Sequence, residues 1–231
     1  MKQWFVATAT ALTVCVLSVG QAKAATIFTD NFDAGASSLW GNETGDWTVT
    51  DGKYFANDGG NSSLPFLLSD FSVELDITNI QNNGIWLRSS LDAGTSLGRT
   101  GVLLAVGGLG GTGTGMYWHI VTDGNDSGPV LNEISGLFEP GITDEQIRIE
   151  VSGDTYSAFI GDSLTPLTTL TTNIFSSGQV ALGDSGNFPD AFNSITIDVP
   201  DTSSVPEPSS AVLLALIGAG VVCRYRSRTQ H

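Results

Sequence analysis

"FSVELDIT", residues 71–78, is apolar at every odd position and polar at every even one. That period of two sets Phe71, Val73, Leu75 and Ile77 on one side of an extended chain and Ser72, Glu74 and Asp76 on the other. It describes a strand with one buried face. The phase recurs further along, where Ile147, Ile149 and Val151 alternate with Arg148 and Glu150, and Ile195, Ile197 and Val199 with Thr196 and Asp198. No stretch between these runs sustains a helical period. Asp51-Gly52, Asn83-Gly84, Asp123-Gly124, Gly153-Asp154 and Gly161-Asp162 punctuate the runs, and each supplies residues that tolerate the positive φ of tight hairpins. Strands are expected near 26–32, 46–56, 64–68, 71–80, 84–91, 100–107, 115–122, 130–134, 146–152, 155–161, 167–172, 178–183 and 192–199. The pattern predicts an all-β, antiparallel two-sheet sandwich.

The ends of the chain read differently. Lys2 precedes an uncharged apolar run over residues 4–19, followed by Ala22-Lys23-Ala24, the order of a secretory signal peptide over 1–24. At the other end stands "VPEPSSAVLLALIGAGVVCRYRSR", residues 205–228. As a helix its apolar run, 211–223, would reach about 20 Å, against a hydrocarbon core of about 30 Å. A short transmembrane helix with Arg224, Arg226 and Arg228 on the cytoplasmic side would hold the chain without anchoring it firmly. The chain is therefore divided into a signal peptide (1–24), a sandwich domain (25–200), a linker carrying Pro-Glu-Pro (201–210), the short helix (211–223) and a basic cytoplasmic tail (224–231).

Val205, Pro206, Glu207 and Pro208, the apolar run, and Arg224-Tyr225-Arg226 together closely resemble the PEP-CTERM sorting signal of Gram-negative bacteria. The resemblance implies export through the inner membrane, recognition and processing by an exosortase, and delivery to the cell surface or extracellular matrix, with at least transient membrane anchoring and exopolysaccharide as a companion. Within the domain, "TDNFDAGASSLWGNETGDWTVTDGKYFAND", "FSVELDITNIQNNGIWLRSS", "IRIEVSGDTYSAFIGD" and "NSITIDV" resemble the concanavalin-A-like jelly roll of lectins, laminin-G modules and some glucanases. That likeness implies paired first and last strands and a curved polar face on which relatives bind carbohydrate or carry catalysis.

Lys53, Arg88, Arg99 and Arg148 are the basic residues of 25–200, four against 22 acidic ones, for a formal charge of −18. Phosphate binding needs a basic surface, so nucleic acid is excluded as a partner. Cys15 and Cys223 both lie in the apolar end segments, which removes disulfides, thiolate zinc sites and cysteine nucleophiles from the domain.

The candidate ligand residues are those expected to point out of a sheet: Trp86 and Arg88, opposite in phase to Ile85 and Leu87, and Tyr117 and His119. Aromatic faces stack on sugar C–H surfaces, and Arg or His donates to hydroxyls. On one concave sheet these four would form a saccharide platform with Glu74 and Asp76. Glu74-Leu75-Asp76 also begins the Glu-x-Asp pattern of laminarinase-like glucanases, but Thr78, Asn79 and Ile80 follow where a further acid is needed, so no catalytic residues are assigned. Gly108 to Gly113 matches G-x-G-x-x-G, yet Met116 to Val121 reads as a strand rather than the helix a dinucleotide site requires. Asp123, Asn125, Ser127 and Gly128 imitate the start of a calcium loop that Pro129 interrupts. Calcium is left to the Asp30 and Asp33 of "DNFD"; no other cofactor is expected. The reading is an exported, non-enzymatic protein that binds glycan or serves as matrix structure. The alternative is a glycoside hydrolase with its acids on the concave sheet.

Overall fold

The computed structural model describes residues 24–108, 113–184 and 191–201. The signal peptide, the Pro-Glu-Pro motif, the short apolar helix and the basic tail lie outside the described residues, apart from Ala24 and Asp201. The span Ala24–Pro200 forms one compact unit.

Fourteen strands are described: β1 (Ala24–Asp30), β2 (Trp47–Thr50), β3 (Lys53–Ala56), β4 (Gly60–Ser63), β5 (Phe71–Thr78), β6 (Asn83–Leu91), β7 (Arg99–Gly107), β8 (Gly115–Val121), β9 (Leu131–Ile134), β10 (Glu145–Ser152), β11 (Thr155–Ile160), β12 (Thr168–Thr171), β13 (Gln179–Asp184) and β14 (Ala191–Pro200). The expected run 46–56 is two strands, because Asp51 and Gly52 both take positive φ and turn the chain into a hairpin. The strand expected at 64–68 is displaced: β4 ends at Ser63, and 64–68 follows it as a connection tied to residues 178–180 by Leu64 N to Val180 O and by a Leu68–Gly178 bridge.

Every strand pairing is antiparallel. An eight-stranded sheet runs β12-β11-β10-β5-β14-β3-β2 with β1 also on β14, and a six-stranded sheet runs β4-β13-β6-β7-β8-β9. The first and last described strands thus pair, Phe28 facing Ile197 and Asp30 facing Ile195. Leu75 stands between Ile147 and Ile195, and Val73 between Ile149 and Ile197, so the alternation of three separate strands coincides in one buried layer. Opposite it lie Ile85, Leu87, Leu104, Val102, Trp118 and Leu182 of the six-stranded sheet, in the same core cluster.

The outer faces of the two sheets differ. On the eight-stranded sheet Ser72, Glu74, Asp76, Arg148 and Glu150 meet solvent, as polar-out alternation requires. The six-stranded sheet is buried on both faces along β6, β7 and β8, and its outward Trp86, Leu103, Ala181 and Val121 form a second apolar cluster, packed under Leu97. A strand buried on both sides reads as an unbroken apolar run, which is what residues 101–107, "GVLLAVG", show. Segments that connect the strands cover this face, and between them they leave a cleft.

Candidate functional site

The cleft is about 350 Å³, at the small end of the roughly 300–1,000 Å³ typical of ligand sites. Register builds it. Asn61 of β4 faces Gly183 of β13, Gly183 faces Gly84 of β6, and one row on, Ala181 faces Trp86, which faces Leu103 of β7. Two glycines and an alanine beside Trp86 leave the indole standing over a low floor. The β6–β7 connection (Thr95, Ser96, Leu97, Gly98) forms one wall, and Thr44 with Gly59 and Gly60 forms another. Gly60 has φ 158°, and a Cβ there would fall 2.1 Å from the carbonyl oxygen of Thr44, so this wall closes only around glycine.

Trp86 is the singular residue of the site. Of the four described tryptophans, Trp40 donates its indole N–H to Asp30 (3.0 Å), Trp47 to the Thr44 carbonyl (2.9 Å) and Trp118 to the Thr168 hydroxyl (3.3 Å). No described residue accepts the N–H of Trp86, although its side chain is almost wholly buried at 3% exposure. Buried indoles ordinarily find an acceptor. The Trp86 Nε1 atom borders the space above Gly183, 3.2 Å from where a Cβ on that glycine would stand, and Asn61 Oδ1 borders the same point at 3.4 Å. Asn61 Nδ2 donates to the Leu97 carbonyl (3.0 Å), which fixes the amide so that its oxygen is the free end. The single charged group lining the cleft among the described residues is Asp184, whose carboxylate accepts the backbone N–H of Ala56.

The six residues expected to share a platform are divided three ways. Trp86, Tyr117 and His119 do occupy the outer face of the six-stranded sheet, with Leu103 standing between Trp86 and His119 in the same row. Tyr117 and His119, at 6% and 4% exposure, are roofed over; their rings meet edge to face at 5.2 Å, outside the lining of the cleft. Arg88 is turned inward. A β-bulge between Leu87 and Ser90 and a φ of 45° at Arg88 reverse the strand's phase, and its guanidinium reaches Ser69 O, Phe175 O and Tyr156 Oη between the sheets. Glu74 and Asp76 belong to the other sheet, where Glu74 accepts from Gln146 (2.7 Å) and Asp76 from Asn193 (3.4 Å). Glu74 borders a separate open hollow of about 410 Å³ that includes Arg148, Glu150 and Phe159, and Asp76 stands outside its lining. Asn61 and Gly183 escaped the sequence reading because they carry no signal until β4, β13 and β6 are brought into register, and Asn83-Gly84, expected as a hairpin turn, instead opens β6, with Gly84 paired to Gly183.

Residues 109–112 of the G-x-G-x-x-G run lie outside the described residues; the chain that follows is strand β8, not a helix whose end could receive a pyrophosphate. Asp123 accepts the backbone N–H groups of Asn125 and Asp126, an Asx turn. Asp30 takes N–H donors from Phe32, Ser37 and Trp40, so its oxygens serve the backbone and an indole and do not fit a cation; among the described residues no three Asp, Glu, His or Cys side chains cluster as a metal site.

His119 supplies a pH-dependent test of this roof. Burial holds its imidazole below the usual 6.5, against the opposing pull of the Pro129 carbonyl 3.1 Å from Nδ1. The unfolded chain accepts a proton near that usual value that the folded one resists, so this contribution is complete above it and is lost as pH falls from there toward the folded-state value. The urea-unfolding midpoint is expected to be lower at about pH 5 than at about pH 7.5, and His119→Gln to flatten that part of the slope. Asp123 and Asp144, held low mainly by hydrogen bonds from Asn125 and Thr78, act only in more acid solution.

No protein-family model matches the chain, nor does any curated protein. Solved structures match its fold. A Bacillus subtilis protein of unknown function with a galectin-like fold superposes with a TM-score of 0.58 at 8% identity, covering 76% of this chain and 97% of that one. The carbohydrate-binding module CBM66 from Bacillus subtilis gives 0.51 at 19% identity, over 68% and 91% of the two chains. A native glycosidic hydrolase gives 0.51 at 13% identity, over 75% and 95%. At these identities the likeness is one of fold.

Proposed function

We propose that this chain is an exported protein of the cell surface or extracellular matrix whose sandwich, a jelly roll of the concanavalin-A type, binds glycan in the cleft over Trp86 without turning it over. The observation that carries the reading is Trp86, a nearly buried side chain whose indole N–H has no acceptor among the described residues and stands at the edge of the cleft. A sugar supplies what this site lacks: hydroxyls to accept from the indole and to donate to Asn61. The carbohydrate-binding and glycosidic relatives of the fold support the class of ligand.

The tail reading stands on residues 205–228: Pro-Glu-Pro, a short apolar run and arginines, to be recognised by an exosortase-type enzyme after export. The hydrolase alternative rests on the hollow that contains Glu74 and Glu150, on the far sheet from the cleft. Mature protein isolated from the producing cell tests the account. It should end before Arg224 by mass spectrometry and should be retained on a glycan column with no product released. An intact carboxyl end overturns the sorting half; hydrolysis abolished by Glu74→Gln or Asp76→Asn overturns the non-enzymatic half.

A further inference from the structure

Resting on the glycan reading, we infer that the cleft selects an uncharged sugar, and that it does so by seating one hydroxyl group, or two adjacent ones, over Gly183 between the Trp86 N–H and the Asn61 carbonyl oxygen. Both atoms border the one small space that a side chain at position 183 would fill, at 3.2 and 3.4 Å from its Cβ. One is a donor and the other an acceptor. A hydroxyl is the common biological group that accepts and donates at once, so the pair is matched to it; a carboxylate or sulfate, which only accepts, would leave the Asn61 oxygen facing an anion.

The surroundings exclude anionic glycans on a second ground. Among the described residues none that lines the cleft is cationic and the one charged member is Asp184, and residues 25–200 carry a formal charge of −18. Arg88 and Arg99, the basic residues of β6 and β7, are both withdrawn into other interactions: Arg88 to Ser69, Phe175 and Tyr156, and Arg99 to Ser89, Gln179 and Glu43. An acidic polysaccharide would meet like charge with no guanidinium to pair it. A cleft of about 350 Å³ accommodates a terminal or short segment of a chain rather than a long stretch.

Gly183 gives a minimal test, because its φ lies outside the left-handed region and its added methyl would crowd the two recognition atoms, 3.2 Å from Trp86 Nε1 and 3.4 Å from Asn61 Oδ1. The full chain, solubilised in a detergent without a sugar head group, is titrated calorimetrically with neutral gluco-, manno-, galacto- and fructo-oligosaccharides and with oligogalacturonate and sulfated oligosaccharides. The expected result is binding to at least one neutral series and none to the charged ones. Gly183→Ala and Trp86→Phe, which removes the N–H but keeps a ring, should each weaken that binding about tenfold or more. Urea midpoints measured alongside show that both variants remain folded. Neutral binding that survives Gly183→Ala and Trp86→Phe overturns the assigned hydroxyl seat and leaves glycan binding standing. Preference for the charged series overturns the selection of uncharged sugars. Binding to neither series overturns the glycan reading and this inference with it.

Discussion

Replacing Arg88 with methionine should lower the unfolding temperature of the protein by roughly 10 °C. Arg88 is 3% exposed and lies between the sheets, its Nε donating to the Ser69 carbonyl (2.8 Å) and its Nη1 to the Phe175 carbonyl (3.0 Å) and the Tyr156 hydroxyl (3.3 Å). The same guanidinium lies 5.3 Å from the Tyr156 ring centroid and 3.3 Å from an Asp70 carboxylate oxygen. It therefore joins β6 of one sheet to β11 of the other and to the connections that carry Ser69 and Phe175. Methionine fills much of the volume but makes none of these hydrogen bonds. Each hydrogen bond lost from the charged guanidinium removes about 1.5–3 kcal/mol, and one kcal/mol moves the midpoint about 2–4 °C in a domain of this size. Calorimetry on the purified variant is the check. A shift of a degree or two would mean that the bulge and the positive φ at Arg88 cost about as much as the clamp returns.

Glu43→Ala should be comparably damaging, for a different reason. Arg99 is fully buried on the outer face of the six-stranded sheet, with Nε on the Ser89 hydroxyl (3.2 Å), Nη2 on the Gln179 side-chain oxygen (2.8 Å) and Nη1 3.6 Å from Glu43. Burial pushes its pKa below the usual arginine value, and the Glu43 carboxylate pulls it back. Glu43 also accepts the backbone N–H of Ser63 (2.9 Å) and the Ser63 hydroxyl. Its removal leaves a buried cation without a counter-ion, an effect of about 3–5 kcal/mol. The double variant Glu43→Leu, Arg99→Met removes both charges and is expected to recover much of that loss. Denaturant midpoints for the three proteins decide the point; a double variant as unstable as Glu43→Ala would locate the cost in Ser63 and Gln179 rather than in the charge.

The two sheets were not equally legible in the sequence. β5, β10 and β14 declare themselves because one face of their sheet is solvated, so polar and apolar residues alternate, and register aligns Leu75 with Ile147 and Ile195 as the alternation implies. β7 does not, because segments roof its outer face and apolar residues are needed on both sides. Tyr117 and His119 are on the face their phase predicts, but phase says nothing of a roof. Arg88 departs from its phase because β6 carries an irregularity against both neighbours, between Leu87 and Ser90 on the β7 side and opposite Gln179 and Ala181 on the β13 side. A bulge is set by pairing across sequence distance, and nothing local marks it. Glu74 and Asp76 are outward as read; what a sequence cannot supply is which of two outer faces they share.

The central claim is that sugar is bound over Trp86, and the indole N–H resonances report on it directly. Trp40, Trp47 and Trp118 hold their N–H groups in bonds to Asp30, Thr44 and Thr168, while Trp86 offers its own to the cleft. In a nitrogen-edited spectrum, titration with a binding neutral oligosaccharide should move the Trp86 indole signal downfield as it gains an acceptor and leave the other three nearly still. Binding that leaves the Trp86 signal in place, and instead shifts residues around Glu74 and Arg148 on the opposite sheet, would contradict the account.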